Sequence, residues 1–143
     1  MDLPDETQYR FIAVLNKKIE QGKLFNALGH MTAGLAGGSG KAADMYFLRY
    51  EDGDGGKHPN ISHFPFIVLA ADNSNQIRST RKDAIVRNIP YTDFTSTMTV
   101  GSSQQQQDAT KATKEEALEY YGIVMFGRTD VLREFTKKFS LFR

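Results

Sequence analysis

The run Phe11-Ile12-Ala13-Val14-Leu15 has no polar residue at any second position. A strand with one face in water alternates apolar and polar side chains. A continuous run of this length therefore predicts a strand covered on both faces. Phe64-Pro65-Phe66-Ile67-Val68-Leu69-Ala70 is a second such strand, with Pro65 near its start, where a missing N–H is tolerated. Gly122-Ile123-Val124-Met125-Phe126-Gly127 is a third. Helical patterns separate them. The expected fold is a three-layer α/β/α sandwich with a mixed sheet of about four to five strands, formed by one domain over residues 1–143.

The helices are read from their periodicity. Leu24, Leu28, Met31 and Leu35 recur at steps of three and four, and Gly37-Gly38-Ser39-Gly40 ends that helix. Gly29 and Gly34 on it suggest close approach to a neighbour. Asn73 and Gln76 have capping-box spacing for a helix to about Asn88, with Ile77, Ala84 and Ile85 inward. Thr129 or Asp130 opens a last helix, whose stripe is Val131, Leu132, Phe135, Phe139 and Phe142. Among the remaining segments, 44–50 and 89–100 read as strands, 51–57 as a tight turn, 102–113 as a polar loop and 114–121 as a short helix.

Composition excludes several functions. Without cysteine there is no disulfide, thiol nucleophile or cysteine-ligated metal. A formal net charge of +1 gives no general attraction to nucleic acid or membrane, so such a partner must be met by a local patch. No apolar run approaches the roughly 18 residues of a spanning helix. The acidic start Met1-Asp2-Leu3-Pro4-Asp5-Glu6 lacks the apolar core of a signal peptide, so a cytoplasmic location is expected. His30, His58 and His63 are not at metal-ligand spacing, and the Asp52/Asp54 pair has His63 where a calcium loop needs glutamate. Neither metal nor cofactor is expected.

Gly22-Lys23 follows the first strand and opens a helix, a common place for α/β chains to hold an anion. Lys23 in a first turn opposes the helix dipole, at a cost of a few tenths of a kcal/mol unless it serves something. It is either a solvated lysine or part of a site.

Gly22, Lys23 and His30 fall in register with G-K-x-x-x-Q-x-x-H of the peptidyl-tRNA hydrolase II superfamily, with Ala27 in place of glutamine. Lys82 and Asp93 stand eleven residues apart, as do a lysine and the aspartate of its D-A-G-x-T-Q motif. Thr97 matches the threonine, while Phe94, Thr95 and Met98 replace the other three. The chain thus resembles that superfamily, and the stretch from His58 to Leu69 resembles a separate bacterial branch of it known as a domain of unknown function.

The resemblance implies a hydrolase-like fold, a homodimer and a site. Its catalytic set would be His30 and Asp93 as base and orienter, Lys23 as oxyanion or phosphate partner and Thr97 as donor. Gly22, Asn26, Arg78 and Lys82 would contact substrate. Each residue also has a plain alternative: packing for His30, an ion pair with Lys23 or Lys82 for Asp93, and an ordinary strand position for Thr97. Arg78, Arg81 and Lys82, with Arg87, form either a phosphate-tracking stripe for RNA or a solvated face. Loss of both glutamines and of the small residues after the aspartate suits a small anionic ligand better than hydrolysis of an RNA ester. Water activation by His30 and Asp93 on an ester or amide is the competing expectation.

Overall fold

A computed structural model describing residues 2–143 places the first apolar run at the centre of the sheet. Strand β1 (Tyr9–Asn16) lies between β6 (Tyr120–Arg128) and β4 (Phe66–Ala71). Beyond them are β5 (Tyr91–Thr95) and β7 (Ser140–Leu141), giving the order β5-β6-β1-β4-β7. Among the described residues only β1 and β4 run parallel; the other pairings are antiparallel.

Alternation along β1 sends its side chains into two cores. Phe11, Ala13 and Leu15 pack with Leu24, Ala27, Met31 and Leu35 of α1 (Gln21–Gly38). Ile12 and Val14 pack with Ile77 and Ala84 of α3 (Ser74–Val86) and with Leu132 and Phe135 of α5 (Thr129–Thr136). Helices therefore cover both faces, which is why β1 carries no polar alternation. Gly122 in β6 is required by this packing: a Cβ there would lie 2.7 Å from Leu15 and 3.0 Å from the Val14 carbonyl. A Cβ on Gly34 would lie 3.6 Å from Thr92 of β5, so its nearest neighbour is within the chain, whereas Gly29 has open space.

The outer elements depart from the sequence reading, each for a local reason. Residues 44–50 split into a short helix, α2 (Ala42–Met45), and β2 (Phe47–Glu51), with left-handed Tyr46 between them. An additional strand, β3 (Lys57–Ser62), pairs with β2 as a separate two-stranded sheet; its polar composition and Pro59 hide it. The strand expected over 89–100 stops at Thr95, where the register with β6 breaks, and Ser96–Thr99 form a 3₁₀ turn. Thr97 and Thr99 therefore leave the face shared by Tyr91 and Asp93.

The polar segment 102–113 is helical: α4 (Ser103–Lys111) is fixed by a capping box in which Gln105 N–H donates to Ser102 Oγ and Ser102 N–H to Gln105 Oε1. The helix expected over 114–121 is a 3₁₀ turn, Glu115–Ala117, because Tyr120 already pairs with Thr95 as β6 begins. The last helix ends at Thr136, and the chain turns back so that β7 pairs with β4.

Candidate functional site

The long helix α1 starts beyond the C-terminal end of β1, and its N-cap residue Glu20 makes no side-chain capping bond. Lys23, Asn26 and His30 follow at steps of three and four, so they form one stripe, and all are exposed. Gly22 is also exposed. Lys23 makes no ion pair among the described residues. At the His30 end the stripe opens on a groove of about 430 Å³ between α1, β5 and α4, lined by His30, Thr92, Phe94, Met98, Ser103 and Gln106. His30 stacks on Phe94 at 6.0 Å between ring centroids, and Thr92 Oγ1 donates to the Met31 carbonyl at 2.7 Å.

Asp93 also borders this groove, but its carboxylate belongs to the other side of the sheet. Thr92 and Phe94 turn toward α1, and the alternate residues Tyr91 and Asp93 turn toward α3. Arg81 of α3 donates from Nε to Asp93 Oδ2 at 3.2 Å and lies over the Tyr91 ring at 5.8 Å. The partner of Asp93 is therefore Arg81, not Lys23 or Lys82. Burial pushes the Asp93 carboxyl above the ordinary carboxylate value and outweighs the opposing pull of Arg81; nearby Glu115 adds to the rise.

The basic stripe is mostly spent on the fold. Arg78 is 12% exposed, donates to Glu115 Oε2 at 2.8 Å and reaches the carbonyls of Glu115 and Leu118 at 3.1 and 2.6 Å. It also bonds to Asn75 Oδ1 and covers the Tyr120 ring. Tyr120 donates its hydroxyl proton to the same Glu115 oxygen at 2.8 Å, and burial with this bond holds the phenol well above its usual pKa. Arg87 pairs with Asp83 and Glu134. Of the four cations, only Lys82 is left exposed and without an ion pair among the described residues. The stripe is thus a weak surface for tracking phosphates.

Thr97 is committed too. Thr110 donates to the Gln106 carbonyl at 2.8 Å, so its hydroxyl can only accept from Thr97 at 2.7 Å; Thr97 in turn accepts from the buried Thr95 at 2.7 Å. This directed chain ties the 3₁₀ turn to α4 and uses the proton that Thr97 would offer a substrate.

The expected site is therefore divided. Lys23, Asn26 and His30 share the α1 side, while Asp93, Arg78 and Lys82 belong to the α3 side or its surface. A base and its orienter must be within hydrogen-bond reach, and β5 stands between His30 and the Asp93 carboxylate. The sequence does not single out Arg81, Glu115 and Tyr120 as partners of these residues. A signal for Arg81 is nonetheless present, since period two in β5 puts Tyr91 and Asp93 on one side and Arg81 falls between inward Ile77 and Ala84. The Ser103 and Gln106 side of the groove is hidden, because the α4 segment has the composition of a loop.

Among solved structures, the chain is similar to a protein of unknown function from Agrobacterium tumefaciens strain C58, with a TM-score of 0.81 and 15% identity over 95% of this chain and 98% of that one. At that identity the likeness shows the fold alone. No curated protein sequence matches the chain. Among the described residues, no helix is long and apolar enough to cross a membrane. A family model described as a protein of unknown function, DUF2000, matches residues 9–143, and the chain belongs to that family.

Proposed function

We propose that this protein uses a peptidyl-tRNA hydrolase II-like scaffold to bind a small anionic ligand, without hydrolysing peptidyl-tRNA. One observation carries the reading: the Asp93 carboxylate is held by Arg81 on the α3 side, while His30 stacks on Phe94 on the α1 side. Lys23 and Asn26 remain exposed on the same stripe of α1 as His30, which borders the groove with Ser103 and Gln106. A lysine, a carboxamide and an imidazole on one stripe suit a phosphate or carboxylate group. The homodimer implied by the resemblance would use the adjoining side of α1, where Phe25 is 63% exposed and Gly29 has open space above it.

Thermal-shift titration with inorganic phosphate and with acetate tests the reading. Stabilisation of the wild type by at least one of these anions, lost in Lys23→Ala, is the expected result. Equal stabilisation of both proteins, or none, counts against it.

A further inference from the structure

The eighteen residues of α1 span about 27 Å, and a second cavity, bordered by Lys41 beyond the helix's C-terminal end, lies far from Lys23. This cavity, of about 480 Å³, lies where β1 and β5 begin and β6 ends. Part of its wall is aromatic, with Tyr9 and Tyr46 partly exposed and Phe64 and Phe126 buried: Tyr9 meets Phe64 at 5.5 Å and Phe126 at 5.9 Å between centroids, and Tyr46 meets Phe64 edge-on at 6.1 Å. Flat apolar walls of this kind accept a flat apolar body.

Lys41, Arg87 and Arg128 border the cavity, against the one carboxylate Asp44. Arg87 is held by Asp83 and Glu134, and Arg128 by Asp130. Lys41 and Asp44 are both exposed and make no ion pair among the described residues.

One further feature lies at this place. Tyr46 has φ of 53°, a left-handed conformation that a bulky side chain rarely adopts, and the His63 N–H donates to its carbonyl at 2.9 Å. Strain of this kind clusters at ligand sites.

We propose that this cavity binds a small molecule with a flat aromatic body and one anionic group, the ring against Tyr9 and Tyr46 and the anion toward Lys41. The proposal does not depend on the Lys23 reading. The test is a ¹H–¹⁵N NMR titration of the full chain with 2-naphthoate and with its neutral analogue 2-naphthamide. Saturable shifts at Tyr9, Tyr46, Phe64 and Gly127 are expected with naphthoate, which should bind roughly five-fold more tightly than the amide. That preference should vanish in Lys41→Gln, and Tyr46→Ala should weaken both probes. The wild-type comparison needs no variant to fold. Absence of saturable shifts at those residues, or equal binding of acid and amide by the wild type, overturns the proposal.

Discussion

Asp93 is the residue on which the chemistry turns. Its carboxyl is raised by burial in the folded protein and returns to about 3.8 when the chain unfolds. Between those values the folded state holds a proton that the unfolded state has lost. Stability from this group is therefore full below the unfolded value and falls as pH rises through the folded one. Chemical unfolding of wild type and Asp93→Asn from roughly pH 3.5 to 7 should show the wild type losing ground to the variant as pH rises. A constant difference would place the Asp93 carboxyl at its ordinary value. Arg78 makes a different prediction, because its partners Glu115 and the carbonyls of 115 and 118 hold the turn before β6. Arg78→Met should cost about 2–3 kcal/mol in denaturant unfolding, from lost bonds to a charged donor.

At the scale of elements, α4 is held by its cap and by the bond from Thr97 to Thr110, because none of its residues is buried. Ser102→Ala should cost about 1 kcal/mol and lower the helical signal in circular dichroism; Ser102→Asp should restore both. This helix also shows where sequence reading fails. The run Gln104 to Gln107 has good helix propensity, but its low complexity and lack of an apolar stripe conceal a helix that packs little. The three continuous apolar runs are legible because burial on both faces leaves a composition signature, and β1, β4 and β6 stand within a few residues of them. Strand ends and β3 are not legible, since they depend on pairing partners distant in the chain. The site is half legible for the same reason. Spacing places Lys23, Asn26 and His30 on one stripe, but the alliance of Asp93 with Arg81 depends on which side of β5 meets α3.

For the whole molecule, the two cores share β1 and β6, so damage at their contact should spread to both. Gly122→Ala would press a methyl group against Leu15 and the Val14 carbonyl. A loss of about 1–3 kcal/mol in global stability is expected, read as a lower unfolding midpoint. Above all, the fold keeps the parts of a would-be hydrolase site on separate sides of an edge strand. Incubating the wild type and Asp93→Asn with an N-acetyl-aminoacyl-tRNA, and following release of the acylated amino acid, puts that division to the proof. Both proteins should release it at the uncatalysed rate. Faster release by the wild type, abolished in Asp93→Asn, would mean that His30 and Asp93 act together after all.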